Sequence, residues 1–424
     1  MQAINQPDWN WKRTTAGFLA GQGISLFGSQ IVQMAMIWHM TLETSSGIWI
    51  TALTLAAFLP QMIISLLGGV WADRYNRKKL IIISDTIIAI TTLLLACYLL
   101  AGNTGATALQ VIILAAAIRS LGSGVQTPAV QAMLPQFVPE ASLARVNGYN
   151  STIQSVVQFA SPVAAGALMA LGPIHNILLI DVATAIIGIG ILAVLRIPPH
   201  QQPGKPETTS ILAEMKQGLR FAWNHPFLRK LLTTYGIFIF LSVPSGFLTA
   251  LMIQRTFGDQ VWLLTVNETL GFAGATLGGL LLGITGGFRN RNKTFFAGII
   301  LYGIASLAVG FTTVFRLFAA LMFIIGLSIP AAQTAVFTLI QEKVEPAMLG
   351  RVFSLVNVLF SGFMPLGMAL FGPLADFVRI QTMVVACAIL IIMLSLNMVL
   401  ARGYYQAGES TAPVEAAEGE GQSC

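Results

Sequence analysis

Apolar runs long enough to cross a bilayer, joined mostly by short links that gather the charge, constrain this chain more than any other feature. Twelve such runs fall at about 14–40, 48–71, 79–101, 107–131, 145–170 and 175–196, then 230–253, 261–286, 294–313, 317–340, 350–374 and 381–401. A helix needs about 20 apolar residues to span hydrocarbon. Only 9% of the 424 residues are charged, against about 25% in an ordinary soluble protein. With a mean hydropathy of +0.76, lipid is the solvent this composition suits. The net charge of +6 does not mark a nucleic-acid binder, because Lys and Arg lie in links between apolar runs and not on one soluble face.

Charge also sets the expected orientation. With both termini cytoplasmic, 19 of the 23 Lys and Arg fall on the inner side, three (Arg255, Arg316, Arg379) fall outside, and Arg119 lies within a run. Such asymmetry follows the positive-inside rule and supports an even number of spans. Met1 to Arg13 is polar and carries no cleavable signal pattern, so the first run is read as a spanning helix. The expected fold class is therefore all-α integral membrane, with twelve transmembrane helices in two six-helix halves. Its divisions are 1–196, a cytoplasmic linker 197–229, a second bundle 230–402 and an acidic, disordered tail 403–424. The linker opens on the breaker-rich Pro198-Pro199-His200 and continues with Ile211, Leu212, Met215, Leu219 and Ala222 at the spacing of a surface helix.

The halves echo each other. Gln126-Thr127 matches Gln333-Thr334, Arg145-Val146 matches Arg351-Val352, and Pro162 matches Pro365. Equivalent positions face the same way, as in a parallel repeat about an axis along the membrane normal. The basic link Gly68 to Lys79 has its counterpart in Gly286 to Lys293, which lacks an Asp. So short a link predicts an antiparallel pair of helices, with small residues at the helix end allowing close approach. Asp73, among four cations, is expected to be paired.

These residues carry a resemblance. Gly69-x-x-x-Asp73-Arg74-x-x-Arg77-Lys78 resembles the signature loop of the major facilitator superfamily, with Asn76 where that loop usually has Gly. Arg119-Ser120-Leu121-Gly122-Ser123-Gly124 resembles a second family feature, and Ser161-Pro162-Val163-Ala164-Ala165-Gly166 matches the antiporter pattern in part. Within the superfamily the chain is similar to the macrolide efflux proteins, through Ala20-Gly21-Gln22-Gly23-Ile24-Ser25-Leu26, Ile180-Asp181-Val182 and Leu349-Gly350-Arg351-Val352-Phe353. The resemblance implies proton-driven export of a bulky, mostly apolar cation from a bacterial inner membrane, by a monomer that meets drug, protons and lipid and no nucleic acid. An exporter of a siderophore or other hydrophobic small molecule fits the same fold. A non-transporting receptor or scaffold is the alternative of another class.

Ionisable groups inside a span cost roughly 2.5–3.5 kcal/mol on insertion scales and mark function by default. Four stand out here: Asp85, Arg119, Asp181 and Glu268. Arg119 near mid-depth stays charged and needs a partner; it either couples proton transfer to cavity opening or clamps helices. Glu268, beside Asn267, could load a proton, neutralise a cationic amine or bond another helix. Asp181 divides between coupling and helix packing. Asp85 is expected to form a gate salt bridge with the basic loop. Gly69, Asp73, Arg74 and Arg77 are expected to latch the cytoplasmic side when the transporter opens outward.

Polar stripes mark a cavity wall or a tight helix contact: Gln22, Ser25, Ser29 and Gln33 in the first run, Gln154 and Gln158 in the fifth, Asn357 in the eleventh. Phe27, Met34, Met36, Phe238 and Phe247 could supply an adaptable apolar surface. Enzyme, metal and nucleotide chemistry find no footing. Four scattered His assemble no cluster, the three Cys show no CxxC spacing, and Asn292-Lys293-Thr294 lacks the Gly a phosphate loop needs. No cofactor is expected.

Overall fold

The computed structural model describes residues 10–197, 220–221, 223–288, 290–344 and 346–400. The surface helix expected in the linker and the tail lie outside these residues. The described chain is helical: α1 (Trp11–Thr44), α2 (Gly47–Arg74), α3 (Arg77–Leu100), α4 (Ala106–Phe137), α5 (Glu140–Leu171), α6 (Ile174–Val194), α7 (Pro226–Gly246), α8 (Thr249–Phe257), α9 (Val261–Thr285), α10 (Arg291–Phe311), α11 (Phe315–Lys343), α12 (Pro346–Leu374) and α13 (Ile380–Leu400). Ten spans among the described residues are long and apolar enough to cross a membrane, with α7 and α8 forming one of them. Helix α1 is not among them, and carries Gln22, Gln30, Gln33 and His39 within its length. Helix α12 contributes the shorter apolar stretch Ser361–Leu374.

The break between α7 and α8 has a local cause. Pro244 has no N–H to donate, and Gly246 follows it. The hydroxyls of Ser242, Ser245 and Thr249 take up nearby carbonyls, Thr249 donating to Ser245 O at 3.0 Å. The chain thus bends while its backbone groups stay satisfied, as hydrocarbon demands.

Helices α1 to α6 pack chiefly on one another, as do α7 to α13. The pair expected to lie side by side, α2 and α3, barely touches. Helix α2 packs instead along α4, and α3 fills the groove between α4 and α6. The glycines explain the choice: a Cβ on Gly68 would meet the Gly124 carbonyl oxygen at 2.6 Å, so the close approach is between α2 and α4. Gly69, the signature glycine, has open space beside it. Helices α9 and α11 repeat this contact, with Gly271 against Gly326. Asn76 caps α3 by accepting from Lys79 N at 3.1 Å, and Asn290 caps α10 by accepting from Asn292 N at 3.0 Å. The asparagine in the signature loop thus serves as a helix N-cap.

Among the described residues the two groups of helices meet at the end that holds Ser46 and Asp376. There α2 lies on α12, α5 on α9 and α1 on α8. Thr51 donates to Met368 O at 3.3 Å, and Gln254 donates to Leu42 O at 3.1 Å. The opposite end carries Arg74, Lys79, Arg145 and Lys343 at or beside the termini of α2, α3, α5 and α11.

Candidate functional site

Four helices converge on one buried ion pair. Arg119 of α4 and Asp181 of α6 have side chains 7% and 1% exposed, and Arg119 Nη1 donates to Asp181 Oδ2. The same guanidinium nitrogen reaches Thr92 of α3. Thr92 donates to Asp181 Oδ2 at 3.1 Å, and Ser29 of α1 donates to Oδ1 at 3.1 Å. The partner Arg119 was expected to need is therefore Asp181, and neither charge stands alone. A buried pair is held by mutual attraction plus bonds that satisfy the remaining lone pairs, and losing one member leaves an uncompensated charge.

Asp85 departs from expectation. It is 2% exposed, and its Oδ1 accepts from Gln126 Nε2 of α4. Among the described residues it makes no salt bridge with the basic loop. Eight residues separate it from Arg77, roughly 12 Å along a helix at 1.5 Å per residue, and it faces inward.

Glu268 of α9 lies on the wall of a chamber of about 550 Å³, the largest of four described chambers. Tyr235, Phe238 and Phe247 from the α7 side, Phe272 of α9 and Met322 of α11 make that wall mainly apolar. Tyr302 of α10 shares a hydrogen bond of 2.9 Å with Ser245 and donates to Ser242 O at 3.2 Å. Among the described residues no hydrogen bond reaches the Glu268 carboxylate, and Glu268 is the chamber's one charged lining residue. The adjacent Asn267 Oδ1 is also buried without a partner.

Three further chambers lie nearby, two of them sharing a wall residue with it. One, of about 280 Å³, is lined by Ser25, Ser29, Gln33, Gln61 and Arg119. Another, of about 180 Å³, is lined by Gln22, Gln154 and Gln158 together with Gln30, Gln126 and Gln131. A third, of about 410 Å³ and mostly apolar, lies between α2, α4 and α12. They share wall residues: Gln158 with the largest chamber, Thr127 among the three smaller ones, Met364 between the apolar and largest ones. Gln30, Gln61 and Gln131 are wall residues the sequence reading did not name, although a Gln inside a span was the signal. The Asn357 side chain lies outside the described part. Phe238 and Phe247 border the chamber, whereas Met36 is fully buried in the core.

The gate residues sit at the basic end. Arg74 is exposed. Arg77 donates from Nε to Ala72 O at 2.8 Å and from Nη1 to Ala132 O at 2.6 Å, joining the end of α2 to α4. Lys78 donates to Ala193 O and Leu195 O, both at 2.8 Å, closing the end of α6. Among these carbonyls, those of Ala72 and Ala193 are ones that a helix C-terminus leaves over. The Asp73 side chain lies outside the described part.

The opposite end holds a cluster the sequence reading missed. Asp376, just past α12, accepts from Gly47 N at 2.7 Å, Ile48 N at 3.1 Å and Ser46 Oγ at 2.8 Å. It therefore caps α2 from across the molecule, where Ser46 makes no cap of its own. Arg255 of α8 pairs with it at 2.9 Å and donates to Ser45 O at 3.2 Å. Burial alone would push the Asp376 carboxyl up. The two backbone N–H groups, the Ser46 hydroxyl and the Arg255 guanidinium outweigh it and hold the carboxyl below its usual range.

Spanning helices around connected chambers that are shut at one end, with charge buried beside them, define a membrane transporter and not an enzyme. The chain belongs to the Major Facilitator Superfamily, whose sequence pattern matches residues 18–288. It is 32% identical over 372 residues to macrolide efflux protein A of Streptococcus pyogenes, covering 87% of this chain and 90% of that protein. It is 26% identical over 389 residues to the multidrug efflux pump Tap of Mycobacterium tuberculosis (strain ATCC 25618 / H37Rv), covering 88% of each. Among solved structures, a POT family transporter in complex with 5-aminolevulinic acid superposes with a TM-score of 0.71 at 10% identity, covering 93% of this chain and 96% of that one.

Proposed function

We propose that the chain is a secondary active exporter of macrolide antibiotics, or of similar bulky hydrophobic drugs, driven by proton antiport. It works as a monomer with twelve spans, in two six-helix bundles at 1–196 and 230–402 joined by the linker 197–229. It lies in a bacterial inner membrane with both termini and the basic, parted end cytoplasmic. The observation that carries the reading is the buried Arg119–Asp181 pair on the wall of a cavity shut at the other end. The efflux proteins among its relatives supply the direction and kind of cargo.

The mechanism follows from the pair. Asp181 exchanges a proton at Oδ2; once it is neutral, Arg119 loses its counter-charge and turns toward the chamber it already lines. That change in packing among α1, α3, α4 and α6 biases which end of the cavity is shut. Glu268 is the carboxylate that meets the positive end of the cargo, since no cation among the described residues pairs with it. Rocking of the bundles about the central cavity then delivers the cargo outward.

Accumulation of several macrolides in a drug-sensitive bacterium, with and without the expressed chain and with a protonophore, tests the export. Lower accumulation that the protonophore abolishes is expected, and equal accumulation in expressing and empty cells refutes the reading. Arg119→Ala alone should disturb insertion, because stranding one partner of a buried pair costs about 3–5 kcal/mol. The neutral pair Arg119→Met with Asp181→Leu should insert yet fail to move drug uphill. Uphill transport by that double variant would reduce the pair to a structural clamp.

A further inference from the structure

Resting on the efflux reading, we infer that the chamber between α1, α4 and α5 is a subsite for the oxygen-rich, uncharged face of the cargo, separate from the carboxylate chamber that takes its positive end. Six glutamines line it: Gln22 and Gln30 from α1, Gln126 and Gln131 from α4, Gln154 and Gln158 from α5. A primary amide offers two donors and one acceptor oxygen, and six of them form a surface that binds hydroxyls, ethers and carbonyls in either sense. Among the described residues no charged side chain lines the chamber. It therefore offers nothing for an anion, a metal or an ammonium group, which need opposite charge once desolvated.

These amides are also unspent. Among the described residues, Gln22, Gln30, Gln131, Gln154 and Gln158 make no hydrogen bond to protein, which a lipid-facing or tightly packed amide could not sustain. Gln126 is the exception, and its fixed orientation serves the same end. Its Nε2 donates to Asp85, so its Oε1 is left to accept from a ligand hydroxyl. Asp85 is thereby a positioning residue for the subsite. Gln158 borders both this chamber and the aromatic one, so one bulky molecule can lay an oxygenated face on the glutamines and reach Glu268 with a cation.

The test uses the full chain in proteoliposomes with an imposed proton gradient and three probes: a macrolide carrying an amino sugar, its uncharged aglycone, and tetraphenylphosphonium, a cation without hydrogen-bonding groups. Gln22→Leu with Gln131→Leu and Gln154→Leu should raise the half-saturating concentration of the aglycone at least tenfold more than that of tetraphenylphosphonium. Gln154→Leu alone, at an exposed position, should give the same order with a smaller ratio and guards against misfolding of the triple variant. Glu268→Gln should show the reverse order. If the unmodified chain moves none of the three probes, the efflux reading itself fails. If it moves them but the glutamine variants slow all three alike, leave all three alone, or favour the aglycone, the subsite is refuted. Transport of tetraphenylphosphonium alone refutes it too.

Discussion

The two ends of the molecule solve the same problem with opposite reach. At both, a charged side chain satisfies backbone groups that a helix terminus leaves over. At the basic end, Arg77 and Lys78 do this inside their own group of helices, holding the ends of α2 and α6. At the shut end, Asp376 and Arg255 do it across the molecule, on α2 and on the carbonyl of Ser45. On the proposed cycle, cohesion within a bundle lasts throughout, whereas cohesion between bundles is surrendered each time the cavity changes sides. The difference teaches which contacts are permanent and which are exchanged.

The largest expected effect comes from wedging the shut end. A Cβ on Gly372 would overlap the Thr51 hydroxyl. Gly372→Ala should cost that end about 1–3 kcal/mol, the usual range for overpacking, and raise thiol labelling of a cysteine placed at Ser46 from outside the cell. Thr51→Ala in the same chain should restore slow labelling; failure to do so would place the strain elsewhere. Asp376→Ala comes next, at about 1–2 kcal/mol for a lost helix cap, which is about a 5–30-fold change in labelling rate. An unchanged rate would mean the cluster merely decorates the surface. Lys78→Met should lower thermal stability by about 1 kcal/mol, the net worth of a typical hydrogen bond, and leave labelling at the shut end alone.

The smallest effect is that of pH. A carboxyl held low when bonded stabilises the shut end at and above the ordinary 3.8 and loses that contribution as pH falls through its own lower value. Labelling at position 46, taken relative to an exposed reference cysteine that corrects for the thiolate fraction, should therefore stay flat from about pH 8 to pH 5 and rise only in stronger acid. A rise near neutral pH would assign the control of this end to another group.

Much of this was legible in the chain itself. Apolar runs, the asymmetry of Lys and Arg and the glutamine stripes are local or periodic, so the membrane fold and part of the cavity wall could be read directly. Partners could not be. Arg119 and Asp181 are 62 residues apart, and only the packing of α4 and α6 around α3 brings them together. Asp85 was assigned to the loop because it is near in sequence, but helical rise carries it out of reach and its rotation turns it toward Gln126. Arg255 was counted only as one of three outer cations and Asp376 was not singled out, although an Arg on the cation-poor side was itself an oddity. Gly68 outranks Gly69 for a similar reason: the residue that matters is the one facing α4, which periodicity cannot name without knowing the neighbour.

The contact between Gly47 and Gly372 sits at the very start of α2, and that placement gives mechanical advantage. Helix α2 has 28 residues, about 42 Å at 1.5 Å per residue, so a tilt of about 10° around this fulcrum sweeps its far tip by about 7 Å. On the proposed cycle, a subtle slip between two glycine backbones is thereby magnified into a displacement wide enough to admit or seal off a bulky molecule.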